Sequence, residues 1–161
     1  MDQALTFTLI NRNWLNSRFG RMDADNGYLS HEPIYGAGRG HTEGGHMRRI
    51  LRLHDVIAML RHAGVGNGDT VLDVGGAEGY LSHLMQRHLS VQATSFDLSA
   101  NACTRARGLF GVDAVAGNAS LLPFRSQSFD VVVMTEVVEH LVDPISAILE
   151  CQRVARRLVV L

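Results

Sequence analysis

At 161 residues the chain is long enough for one domain with a substantial core. Its 46% hydrophobic and 19% charged residues are those of an ordinary soluble globular protein, and no stretch approaches the roughly 18 apolar residues of a membrane-spanning helix. The 15 basic and 16 acidic residues leave a net charge of −1, so no nucleic-acid or membrane partner is announced. The first residues lack a basic start followed by a long apolar run, and the expected location is the cytoplasm. Cys103 and Cys151 match no metal or redox spacing and are expected to be buried thiols.

Residues 1–45 differ in composition from the rest. A short apolar segment from Leu5 to Leu15 leads into a glycine-rich passage from Gly27 to Gly45, expected to be a loop or a lid. From His46 the apolar residues Met47, Ile50, Leu51, Ile57 and Leu60 recur at helical steps, and Gly64 offers a stop. Strands are expected over Thr70–Val74, Val91–Phe96, Val112–Ala116, Phe129–Met134 and Arg157–Leu161. Helices are expected over Gly79–His88, Ser99–Phe110 and Pro144–Val154, with Ser99 or Asp97 as a cap. Strand and helix alternate through short links, which predicts a doubly wound α/β sheet over residues 46–161.

The stretch Val71-Leu72-Asp73-Val74-Gly75-Gly76-Ala77-Glu78-Gly79 takes an apolar strand through a glycine-rich turn into a helix. Small residues there let backbone approach a ligand, and the helix start presents free N–H groups. Aligned on Gly76 and Gly79, the dinucleotide fingerprint would need a glycine where Val74 stands, which argues against a nicotinamide cofactor. Asp97, closing the second strand, is placed to accept hydrogen bonds from ribose hydroxyls, a device that serves dinucleotides and other nucleoside-bearing ligands alike.

Taken together, these segments resemble the class I S-adenosylmethionine-dependent methyltransferases. Asp73, Gly75 and Gly79 match that family's first motif, with Ala77 in place of its middle glycine. Gly117-Asn118-Ala119, Leu122-Pro123-Phe124, Ser128-Phe129-Asp130, Glu139-His140-Leu141 and Asp143-Pro144 follow in the family's order. The resemblance implies a Rossmann-like sheet, S-adenosyl-L-methionine as cofactor and a small-molecule methyl acceptor. It implies cofactor contacts from Asp73, Gly75, Gly76, Ala77 and Gly79 at the first strand, and from Asp97 and Leu98 at the second. Asn118 and Ala119 would meet the adenine, with the Asn118 carbonyl in the role of the usual aspartate. Thr135 would lie against the cofactor. A non-catalytic cofactor-binding module is the rival from another class.

Glu136, Glu139 and His140 fall at i, i+3 and i+4, which on a helix would share one face and suit a divalent metal. The pattern is similar to the metal segment of small-RNA 3′-end 2′-O-methyltransferases, and also to a segment of ubiquinone-biosynthesis O-methyltransferases. A metal-assisted RNA-end enzyme is therefore the alternative activity; otherwise His140 serves as a base or as a polar wall. Arg49 or Arg52 is a candidate for the cofactor carboxylate, against a solvated helix face. The family's sheet resembles seven strands in order 3-2-1-4-5-7-6, whereas five are counted here. The expectation is a sheet truncated after the fifth strand.

Overall fold

The computed structural model describes residues 43–161, with side chains from residue 51 onward. The proposed lid over residues 1–45 lies outside this range, apart from the start of the first helix. The elements in chain order are α1 (Glu43–His62), β1 (Thr70–Val74), α2 (Tyr80–Leu89), β2 (Gln92–Asp97), α3 (Ala100–Phe110), β3 (Asp113–Ala116), β4 (Phe129–Val133), α4 (Pro144–Val154) and β5 (Ala155–Val160). All paired strands run parallel, in the order β3-β2-β1-β4-β5. This is the Rossmann-like arrangement expected from the alternation of elements.

Both faces of the sheet are covered, and the period-two alternation of the strands divides the core between them. Val71 of β1 and Val131 and Val133 of β4 face Leu53, Ile57 and Leu60 of α1 and Leu81, Leu84 and Met85 of α2. Leu72, Val74, Val132 and Met134 face the other way, onto Ala147, Cys151 and Val154 of α4. Each fully buried aliphatic side chain in these layers contributes about 1.5–3 kcal/mol. Cys103 and Cys151 are free and buried, as expected.

Local signals account for the boundaries. The Ser99 hydroxyl accepts from the Ala102 amide and caps α3, while Asp97 supports it by accepting from the Ser99 amide at 2.8 Å. Asp143 caps α4 by accepting from the Ser146 amide at 3.0 Å, with Pro144 in the first turn. Gly79 closes the preceding turn in the left-handed region, so α2 begins at Tyr80. The fifth strand starts earlier than the sequence predicts. Ala155 follows α4 with no intervening loop and pairs with Phe129, so the strand begins ahead of Arg157.

Glu136, Glu139 and His140 depart most from their expected setting. Only Val138–His140 form a single 3-10 turn, and Glu136 precedes it with φ 58°. A left-handed residue at that point interrupts helical spacing, so the three side chains do not form the shared helical face that the metal reading required.

Candidate active site

In a doubly wound sheet, ligands bind beyond the carboxyl ends of the strands, where the strand order reverses. Here the reversal falls between β1 and β4, which continue into the glycine-rich turn and into Thr135 respectively. The sequence-predicted cofactor residues therefore converge on one edge.

The turn is strapped to β2 by its own backbone. The amides of Gly75 and Gly76 both donate to the Phe96 carbonyl, at 2.7 and 3.1 Å. The Ala77 amide donates to Asp97 Oδ2 at 2.9 Å, while Oδ1 holds the Ser99 amide. Two backbone donors thus fix the half-buried Asp97 carboxylate, and each oxygen retains acceptor capacity for a further donor. Ala77 takes φ 49° in place of the family's glycine, a conformation that costs an L-residue roughly 1–2 kcal/mol. The strap to Asp97 stabilises that conformation.

Space at the turn is set by three glycines. A side chain on Gly75 would collide with Val137, and one on Gly79 would meet Ala106 and Val112 at 2.7 Å. Beneath Gly76 lie the Ser95 hydroxyl and the Asp73 carboxylate, whose Oδ2 would stand 2.9 Å from an added Cβ. Asp73 is 2% exposed and accepts from the Ser82 hydroxyl at 2.7 Å. Burial pushes its carboxyl up to about 6; the Ser82 hydrogen bond pulls the other way, and the Asp97 charge adds to the rise. Asp73 therefore lies buried beneath Gly76.

On the β3 side, Gly117 packs against the Phe96 ring and its amide donates to the Asp97 carbonyl at 2.9 Å. Asn118 is exposed, with its carbonyl oxygen accepting from the Ser120 amide at 2.9 Å. Ala119 is half-buried against the α4 face of the core. Arg153 and Glu150 of α4 fasten the segment that follows: Arg153 donates to the Leu122 and Phe124 carbonyls, and Glu150 accepts from the Leu122 amide at 2.8 Å. Leu98 stands 53% exposed beyond β2.

Beyond β4, Thr135 is half-buried, whereas Glu139 and His140 are exposed. Glu136 is bound at both carboxylate oxygens by the Arg52 guanidinium, at 3.0 and 2.8 Å. That pair joins α1 to the loop after β4 and engages two residues the sequence had offered separately, one to the cofactor and one to a metal. Among the described residues, no three His, Cys, Asp or Glu side chains are grouped to hold a metal ion. The Arg49 side chain lies outside the described set.

The geometry agrees with the comparisons to known proteins. A methyltransferase-domain family model matches residues 72–160, more than half of the chain. The chain belongs to this methyltransferase family.

Its S-adenosylmethionine cofactor fits the residues present: a turn packed so closely on the protein beneath it that Gly75, Gly76 and Gly79 carry no side chain, and an oriented carboxylate on β2. The chain is 35% identical over 118 residues to a ubiquinone biosynthesis O-methyltransferase of Xanthomonas oryzae, a match covering 69% of this chain and 47% of that protein. It thus spans about half the length of the curated relatives it matches. The crystal structure of YcgJ from Bacillus subtilis is similar at 25% identity and TM-score 0.56, over 64% of this chain and 47% of that one. The cyclase SpnF shares the fold at 23% identity and TM-score 0.63, over 95% of this chain and 55% of its own.

Sequence reasoning missed Ser82, Ser95 and Val137. The available signal was small. Ser82 is a polar residue in the first turn of a helix whose other inward positions are apolar, just after an acidic strand end.

Proposed function

We propose that this chain is the cofactor-binding part of a methyltransferase that acts on a small-molecule acceptor, with a hydroxyl oxygen as the favoured acceptor atom. The single observation that carries the reading is Asp97, held by the Ala77 and Ser99 amides beside the glycine turn at the strand-order reversal. The likeness to the Xanthomonas enzyme supports the oxygen acceptor.

S-adenosylmethionine supplies a methyl group already activated on a cationic sulfur. Asp97 accepts from the ribose hydroxyls, and Leu98, Asn118 and Ala119 receive the adenine. Gly75, Gly76, Ala77 and Gly79 allow close approach of the amino-acid end, and Thr135 bounds the reacting side. Alignment of this kind contributes up to roughly 7–11 kcal/mol to a bimolecular reaction. His140, exposed five residues past Thr135, is the candidate base if the acceptor requires one. The cytoplasm is the inferred location, supported by two free, buried thiols. Among the described residues no helix is long and apolar enough to cross a membrane.

Calorimetry of S-adenosylhomocysteine binding tests the reading. Asp97→Ala deletes charge-assisted hydrogen bonds, so affinity should fall by about 1.5–3 kcal/mol while the fold persists. An unchanged affinity in the folded variant would remove the ribose role.

A further inference from the structure

Residues 117–128, between β3 and β4, form neither helix nor strand, so their backbone groups must find partners one by one. α4 supplies several of them from a single pair. Glu150 and Arg153, three positions apart on one side of the helix, bind each other from Nε to Oε1 at 2.6 Å and from Nη2 to Oε2 at 2.7 Å. The same Oε2 accepts from the Leu122 amide at 2.8 Å. The guanidinium donates onward to the Phe124 carbonyl at 2.8 Å and to the Leu122 carbonyl at 3.0 Å. A planar fork with fixed donors holds both carbonyls in one geometry, which a flexible ammonium does not. Leu122 and Phe124 pack into the α4 face of the core, with Phe124 edge-on to the Phe96 and Phe129 rings. Packing sets the depth of this segment, and the ion pair sets its register.

Upstream of Leu122 the segment forms a turn held at both ends. The Gly117 amide donates to the Asp97 carbonyl at 2.9 Å, and the Phe96 ring fills the space beside that glycine. Leu121 closes the turn by donating its amide to the Asn118 backbone carbonyl at 3.0 Å. Inside it the Asn118 side-chain oxygen accepts from the Ser120 amide at 2.9 Å. That bond keeps the oxygen, rather than the side-chain nitrogen, in place, and the oxygen has a second lone pair for another donor. Where the lone pair points depends on where the turn sits. β2 fixes one end through Gly117, and α4 fixes the other through Leu122.

We propose that Glu150 and Arg153 are positioning residues for base recognition: by fixing Leu122 and Phe124 they hold the Asn118 turn so that the site selects a purine bearing a 6-amino donor. The inference rests on the cofactor reading given above, in which Asn118 meets the adenine. Both residues act through the backbone of another segment, and their effect is on selectivity. A purine with a carbonyl in place of the 6-amino group brings an acceptor against the Asn118 oxygen, which leaves both groups unpaired. Without the ion pair the segment keeps its apolar anchors but not its register. The turn then no longer presents one oxygen in one place.

The test is calorimetry of the 161-residue chain with S-adenosylhomocysteine and with S-inosylhomocysteine, the same ligand carrying a carbonyl in place of the 6-amino group. We expect the wild type to prefer the adenosyl ligand by roughly tenfold or more, and Asn118→Ala to lose that preference. Arg153→Ala should weaken S-adenosylhomocysteine roughly fivefold to tenfold and the inosyl ligand little, leaving a preference of about twofold. Glu150→Gln still offers an oxygen to the Leu122 amide, so its preference should fall between the two. A folded Arg153→Ala with the wild-type ratio overturns the inference. So does an equal loss for both ligands, which a merely structural role would produce. If Arg153→Ala does not fold, Arg153→Lys keeps a charge beside Glu150 without the fork, and a wild-type ratio there overturns it equally. A wild type that binds both ligands alike overturns the inference together with the adenine role of Asn118. One that binds neither strikes the cofactor reading itself.

Discussion

Asp73 and Asp130 sit on neighbouring strands at opposite ends of the sheet, and their environments push them in opposite directions. Asp130, at the start of β4, accepts from the Thr70 amide and hydroxyl at 2.8 Å each and from Arg156 at 2.9 Å. Those hydrogen bonds hold its carboxyl down to about 2. Beside it Asp69 pairs with Arg157, so this end of the sheet ties the starts of β1, β4 and β5 together. Asp73, at the other end, is buried away from water, accepts from Ser82 and has the like charge of Asp97 nearby, and it rises to about 6. The difference separates two uses of a carboxylate. One is satisfied and stabilises the fold, whereas the other is kept against its desolvation penalty, a pattern that clusters at functional sites.

The sharpest way to break the comparison is to remove both charges with minimal change of shape. Asp73 favours its protonated form in the folded state, so its ionised form costs stability above pH 6, a cost relieved as pH falls from about 6 towards 4. Asp73→Asn should therefore raise stability to denaturant at pH 7 by about 1–3 kcal/mol while weakening cofactor binding. A destabilised variant would mean that Asp73 is a structural carboxylate like its counterpart.

Asp130→Asn should do the reverse. Loss of the Arg156 pair and of the charged acceptor for Thr70 should cost about 1–2 kcal/mol in the same measurement. Because the folded pKa is depressed, the stabilisation is present above about 4 and disappears as pH falls towards 2. An acid-unfolding curve of Asp130→Asn should be correspondingly flatter over that range, and S-adenosylhomocysteine affinity at pH 7 should not change.

The smallest effect belongs to the pair at the site's rim. Arg52 and Glu136 are 55% and 61% exposed, so Arg52→Ala should change stability by no more than about 1 kcal/mol. A larger loss, measured by chemical denaturation at low salt and at 0.5 M salt, would place the α1-to-loop junction among the elements that hold the fold.

The legibility of the sequence follows the range of the interactions concerned. The alternation of strand and helix, the glycine turn and the place of Asp97 at a strand end were readable because each rests on local rules, whereas the strand order came from the resemblance to the family. Glu136, Glu139 and His140 were misplaced because the i, i+3, i+4 argument assumes a helix, and one residue in the left-handed region removes the assumption. The start of β5 was misplaced for a similar reason, since the sequence does not announce that α4 passes straight into a strand.

By itself the sequence pointed to the family and the parallel sheet, because small residues and strand-end carboxylates at fixed spacing have few other uses. The tertiary structure decided which carboxylate does what. Asp73 points towards α2, beneath the turn, and Asp97 is held by two amides at the crevice. Arg52 meets a residue 84 positions away, which no pattern in the chain could announce. Partners so distant are chosen by packing: which side of β1 faces which helix, and which loop the end of β4 leaves beside α1. Burial then sets the energy of each charge, and burial exists only once the chain has folded.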